Sequence, residues 1–244
     1  MGSGSPACPD SRKGSPAGYR AAVDDPKSVV RRGYDELSVR YDEAYGAADK
    51  YAPWLTSLIA SLPPAAEVVD LGCGSGVPVA RDLVAAGHRV TGVDFSDVQI
   101  RRARSLAPGA TFRCADLTAV RFARQSLDAV FAFYSVIHVP LAEQPPLFRR
   151  VAGWLRPGGL FAATLGHTAW TGTDPDWLGG GVPMWWSHTD APTYRRWLAG
   201  AGLAVVREVF VPEGDGGAVL FVARAMSSGA VAGPTVDHDG GGIR

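Results

Sequence analysis

Residues 68–80 read VVDLGCGSGVPVA. An apolar run carries Asp70, passes through Gly72, Cys73, Gly74 and Gly76, and continues in a helical pattern. Glycine directly after a strand lets the chain turn tightly and lets a ligand approach with no Cβ in the way. The spacing excludes one common use of such a turn. A dinucleotide site reads G-x-G-x-x-G/A. Counted from Gly72 the third slot is Val77, and counted from Gly74 it is Val79. What stands instead is Asp70-x-Gly72-x-Gly74-x-Gly76, with the acid inside the pattern. The competing reading is a tight strand–helix connection that binds nothing.

Outward from this turn the signals alternate. EVVDL (67–71), HRVTGVD (88–94), ATFRCAD (110–116), LDAVFAFYSV (127–136) and LFAATLG (160–166) read as strands, the fourth nearly continuously apolar. Between them, 77–86 reads as a helix with Val77, Ala80 and Val84 inward. Ser96 with Gln99 is a capping-box signature for a helix to about residue 107. A helix over 144–155 turns Leu147, Val151, Trp154 and Leu155 inward, and RPGG stops it. Upstream, Val30, Tyr34, Leu37, Tyr41 and Tyr45 share one helical face, which also reads as a plain core stripe. A second helix covers 51–61. After 166 the rhythm breaks into an irregular stretch to 189. Asp190 then reads as the N-cap of a helix to about 200, and LAVVREVFV and AVLFVARA as strands joined by the hairpin turn PEGDGG. Strand–helix alternation means a mostly parallel sheet covered on both faces. Ligands of such sheets bind at the carboxyl ends of the strands, where strand order reverses. Asp94 ends the second strand there, and an acid at that place can accept two hydrogen bonds from a ribose diol.

The 244 residues suit one α/β domain over 28–225, with segments 1–27 and 226–244 expected to be disordered from their Gly, Ser and Pro content. Lys and Arg number 24, as do Asp and Glu, so no net charge argues for nucleic acid or an anionic membrane. No apolar run approaches the ~20 residues that span a bilayer. Cys8, Cys73 and Cys114 have no metal-ligand spacing and read as reduced thiols of a cytoplasmic protein. No set of Asp, His and Cys has ligand spacing, so no metal is expected.

In order, VVDLGCGSG, VTGVDFS, CADL (114–117), FAFYSVIHV (131–139) and LRPGGLF (155–161) resemble the class I S-adenosylmethionine-dependent methyltransferases. The likeness runs over residues 30–224 and is closest to the small-molecule branch, near the ubiquinone-biosynthesis-like enzymes. It implies a Rossmann-like, mostly parallel sheet of seven strands, order 3-2-1-4-5-7-6 with strand 7 antiparallel, and helices on both faces. It implies S-adenosyl-L-methionine as cofactor, with S-adenosyl-L-homocysteine as product. By position, Asp70 and the turn Gly72–Cys73–Gly74–Gly76 hold the methionine part. Asp94 takes the ribose hydroxyls, with Phe95 flanking the adenine and Ser96 beside it. Asp116 and Leu117 meet the adenine edge, and Phe133 lines the cofactor near the sulfonium. Tyr41 is the best match to a tyrosine that closes over the cofactor carboxylate.

Methyl transfer from a sulfonium is an in-line displacement, so the protein must align a nucleophile and exclude water. A hydroxyl nucleophile asks for a base; a thiolate or free amine does not. His138 past the fourth strand, His167 past the fifth and His188 in the irregular stretch are candidate bases or substrate contacts, and Tyr134 a hydrogen-bonding one. The stretch 166–189 reads as a lid, with a hinge at Gly179–Gly181. Its Trp170, Trp177, Met184, Trp185 and Trp186 would pack on an apolar or aromatic acceptor, cage an amine by cation–π attraction, or form only a core or dimer contact. The reading is a methyltransferase acting on a small-molecule acceptor of a specialised metabolism, at O, N, S or C, as monomer or homodimer. The alternatives are a non-catalytic or scaffold S-adenosylmethionine-binding protein and, far behind, a nicotinamide-dependent oxidoreductase.

Overall fold

A computed structural model describes residues 25–45, 52–213 and 216–227. The expected disorder of 1–24 and 228–244 lies outside the described residues. The helix α1 (Pro26–Tyr45) opens the described chain, earlier than the sequence reading placed the domain. After α2 (Ala52–Ala60) come β1 (Glu67–Leu71), α3 (Val79–Ala85), β2 (Arg89–Asp94), α4 (Asp97–Leu106), β3 (Thr111–Cys114) and β4 (Leu127–Ala132). Then follow α5 (Gln144–Trp154), β5 (Leu155–Gly166), β6 (Trp170–Asp174), β7 (Met184–His188), α6 (Ala191–Gly200), β8 (Leu203–Glu213) and β9 (Gly216–Ala225).

Seven strands form one sheet in the order β3-β2-β1-β4-β5-β9-β8. With β6 and β7 set aside this is the expected 3-2-1-4-5-7-6. β9 runs antiparallel to both β5 and β8. The apolar strands are buried on both faces by two helical layers. Leu83, Ile100 and Ala103 pack on one side, and Leu147, Phe148, Val151 and Tyr194 on the other. In α3 the inward residues are Val79, Ala80 and Leu83, with Val84 only partly buried. The helix starts two residues later than the pattern suggested, which rotates its face. In α5 Leu147, Val151 and Trp154 are inward as read, joined by Phe148, while Leu155 already belongs to β5.

Helix starts follow local chemistry. Ser96 Oγ accepts from the Gln99 N–H at 3.0 Å and caps α4, and Asp190 accepts from the Thr193 N–H at 2.8 Å and caps α6. The return arm of the capping box is not made, because Gln99 Oε1 takes the Ser38 hydroxyl of α1 instead.

The stretch read as irregular is ordered. β6 and β7 pair antiparallel, from Trp170 opposite His188 to Asp174 opposite Met184, as a separate two-stranded sheet. It packs with α1 into a small third core of Val30, Leu37, Trp177, Val182 and Met184. α1 and this hairpin thus roof the carboxyl ends of β1, β2 and β4. Cys73 is a buried free thiol, and Cys8 lies outside the described residues. Among the described residues no helix is long and apolar enough to cross a membrane, and no cluster of His, Cys, Asp or Glu is arranged to hold a metal.

Candidate cofactor and acceptor site

Strand order reverses between β1 and β4, and the turns that follow these two strands are locked together. Ser135 Oγ donates to the Leu71 carbonyl at 2.7 Å. Gly72 sits at φ +74°, and a Cβ there would overlap Ser135 Cβ. At this switch point opens a small cavity, the place where open α/β sheets hold their ligands. Gly72, Gly74, Asp94, Phe95, Asp116, Leu117, Phe133 and Tyr41 line it. So do Tyr134 and His138, and residues the sequence reading did not place at the cofactor, among them Lys27, Gln99 and Ser135.

Four residues expected at the cofactor lie outside that lining. Asp70 and Cys73 are buried behind the turn. A Cβ at Gly76 would meet Phe112, Ala103 and Ala107, so this glycine serves the packing of the turn on α4 and β3. Ser96 is fully buried; its hydroxyl caps α4 and donates to Asp35 at 2.6 Å.

The polar lining has capacity to spare. Asp94 accepts from the Gly74 N–H at 3.0 Å and the Ser96 N–H at 2.9 Å, one on each oxygen. Each carboxylate oxygen keeps a lone pair for a diol. Burial pushes Asp94 up to about 6 against those backbone donors. Burial, with the Asp94 charge beside it, pushes Asp70 up to about 7. Gln99 Nε2 is buried with no partner and stands 4.0 Å from the place of a Gly74 Cβ. A buried carboxylate with lone pairs to spare, an orphaned amide donor and a side-chain-free cradle fit a ligand bearing a diol and acceptor oxygens.

Asp116 is arranged differently from its expected role. Its Oδ2 takes the Lys27 ammonium at 2.8 Å, and its Oδ1 takes the Thr118 N–H and hydroxyl. Burial would raise this carboxyl, but Lys27 and Thr118 outweigh it and hold it low. Lys27 also reaches Glu143 at 2.5 Å, so the first turn of α1 is latched across the Asp116 end of the cavity.

Beyond the cavity lie two clefts. One is lined by Tyr34, Tyr41, Tyr45, Tyr134, Ile137, His138, Trp177, Trp186 and Glu213. The other runs along Trp170, Asp174, Trp186, His188 and Glu213. Tyr134 lines all three spaces. Its φ is +55°, uncommon for a non-glycine residue, and Thr164 Oγ1 accepts its N–H. His138 lies at the same junction. The Trp185 carbonyl, 2.7 Å from Nδ1, can only accept, so Nδ1 carries the proton. Nε2 then accepts from the Tyr34 hydroxyl at 3.0 Å. Burial depresses His138 to about 4, and at neutral pH the ring is uncharged.

The remaining candidates divide. His188 lines the outer cleft, with Nδ1 2.7 Å from the Thr168 carbonyl. His167 is not at the junction; its ring packs on Phe210, 4.9 Å between centroids. Trp170, Trp177 and Trp186 line the clefts, whereas Met184 is fully buried in the core under α1 and Trp185 contributes its carbonyl to His138. Glu213 escaped notice because a carboxylate at a hairpin turn reads as solvated.

Residues 68–159 match the family model of a methyltransferase domain. The chain is 29% identical over 155 residues to 27-O-demethylrifamycin SV methyltransferase of Amycolatopsis mediterranei, covering 54% of this chain and 56% of that one. It thus spans little more than half of that relative, and a third of the sterol 24-C-methyltransferase of Pneumocystis carinii, 28% identical over 50% of this chain. Among solved structures it superposes on the Burkholderia thailandensis 1,6-didemethyltoxoflavin-N1-methyltransferase with TM-score 0.67 at 18% identity, covering 85% of this chain and 93% of that one. The match to a methyltransferase-domain model thus spans residues 68–159, and the fold is the one seen in that solved methyltransferase.

Proposed function

We propose that this protein transfers a methyl group from S-adenosyl-L-methionine to a small-molecule acceptor with an apolar or aromatic body. The observation that carries the reading is the junction: Tyr134, Tyr34, Tyr41 and His138 are walls of both the switch-point cavity and the adjoining cleft. Bound in the cavity, the cofactor supplies an electrophilic methyl group and a neutral thioether leaving group. Asp94 would hold the ribose diol, Phe95 and Leu117 the adenine, and the glycine turn, with Asp70 buried behind it, the methionine end. Placement of Asp116 at the adenine edge requires it to share its carboxylate with Lys27.

The chain's own work is orientation and exclusion of water. Phe133 and Tyr134 are buried at the end of β4, and the roof of α1 and β6–β7 covers them. Holding two reactants in line is worth ~7–11 kcal/mol of barrier in favourable cases. His138 at about 4 is a weak base. It fixes the Tyr34 hydroxyl and accepts a hydrogen bond; it does not strip a proton from an alcohol at neutral pH. Tyr34 is pushed well above its ordinary range by burial and is not ionised. The site therefore suits a nucleophile that needs little basic assistance. A neutral net charge supports a small acceptor over nucleic acid or membrane.

The test is formation of S-adenosylhomocysteine by the purified protein over a panel of phenols, amines and thiols. Turnover that Asp94→Ala abolishes at low cofactor supports the reading. Binding of cofactor with no turnover across the panel makes the chain a non-catalytic member of the fold.

A further inference from the structure

The two clefts beyond the junction are asymmetric in charge. Among their described lining residues are Glu213 and Asp174, two histidines, and no lysine or arginine. The remaining lining is mostly aromatic. Tyr34 and Trp177 lie 5.3 Å apart between ring centroids, Tyr41 and Tyr45 5.2 Å, Trp177 and Trp186 6.0 Å, and Trp170 and Trp186 5.9 Å. The pairs are tilted or edge-on, and each of these rings has atoms on a cleft wall. Glu213 ends β8 opposite Gly216, and it is the one charged residue that lines both clefts. Tyr134 and Tyr45 line the inner cleft with it; burial raises both phenols, and the Glu213 charge adds to that rise.

A carboxylate amid aromatic rings recognises a cation. The rings attract it through their quadrupoles, by ~0.5–1 kcal/mol each where exposed and more where desolvated. The carboxylate adds a charge-assisted hydrogen bond. An anionic acceptor would meet Glu213 and Asp174 with like charge. We infer that the acceptor carries a basic amine, recognised in its protonated form by Glu213 and by the tyrosines and tryptophans of the two clefts. This inference rests on the methyltransferase reading and narrows its acceptor class.

The test uses the full chain with S-adenosylhomocysteine present. Benzylamine, phenethylamine and tryptamine are compared with their neutral alkyl and carboxylate isosteres by saturation-transfer NMR and calorimetry. The amines are expected to bind saturably and the carboxylates not at all. Glu213→Gln is expected to weaken amine binding three- to ten-fold, with the neutral isosteres unchanged; Glu213 is exposed, so a larger loss is not expected. Glu213→Asp should recover part of the loss. The inference is overturned if neutral or carboxylate isosteres bind as well as the amines, if no amine binds, or if Glu213→Gln leaves amine affinity unchanged. S-adenosylhomocysteine titration of each variant reports folding. Failure of that titration in the unaltered protein would count against the methyltransferase reading itself, while its success with no amine preference would sink only the inference.

Discussion

At Gly72 a positive φ and the contact with Ser135 act together. Alanine there takes on the left-handed strain of ~1–2 kcal/mol and must also push apart the turns after β1 and β4. Gly72→Ala is expected to cost about 3 kcal/mol or more in urea denaturation. Gly87→Ala, also at positive φ but with open space around it, should cost only the strain. Asp70 gives a pH signature. Its folded value of about 7 lies above the unfolded one near 4. Its contribution is therefore fully present below pH ~4 and is lost as pH rises to about 7. His138 runs the other way: its folded value is depressed, so its stability is present above pH ~6.5 and lost as pH falls towards 4. The difference between Asp70→Asn and the parent isolates the first group. That difference should shift in favour of the variant by a few kcal/mol between pH 4 and pH 8, on the order expected for a three-unit displacement. A flat difference in thermal or urea unfolding across that range would contradict the buried, raised carboxyl.

Among the elements, α1 carries more of the site than its sequence announced. Its tyrosines are legible at helical spacing, and they do line the cavities. Lys27 is not, because one lysine after Asp-Pro has no periodic context; only the fold brings it to Asp116 and Glu143. Arg102 further ties α1 to α4 through Ser38 and Asp42. Lys27→Ala should loosen the first turns of α1 while Arg102 holds the rest. The stability change is expected to be about 1 kcal/mol or less, since the ion pair is partly exposed. Hydrogen exchange should show faster amides near residues 28–31 with little change near residue 40; uniform exchange along α1 would contradict the latch. The β6–β7 hairpin was illegible for a different reason. Gly, Pro and four tryptophans blur the period-2 signal over five-residue strands, and what orders them is packing on α1, which is remote in sequence. Parallel β1, β2 and β4 were legible because each is a short apolar run ending at a turn or capping residue. Leu83 in place of Val84 was missed by a two-residue error in where α3 begins, and 100° per residue does not forgive that.

For the whole molecule, strand order and the antiparallel β9 are as the family resemblance implied, while alternating elements and one glycine turn point to a site at the switch point. What the sequence withheld is what long-range contact creates: the sharing of Tyr134 by three spaces, the Tyr34–His138–Trp185 chain, the carboxylate of Glu213 at the two outer clefts, and the pairing of Asp116 with Lys27. These join residues separated by 47 to 104 positions where hydrogen bonds are made, and no local pattern encodes them. The central claim remains that the cavity at the β1–β4 switch point holds an S-adenosyl cofactor. Calorimetric titration with S-adenosylmethionine, S-adenosylhomocysteine and NAD tests it most directly. The account predicts saturable 1:1 binding of the first two, at least ten-fold weaker binding in Asp94→Ala, and none of NAD. Binding of NAD, or no binding of either S-adenosyl ligand to folded protein, would contradict it.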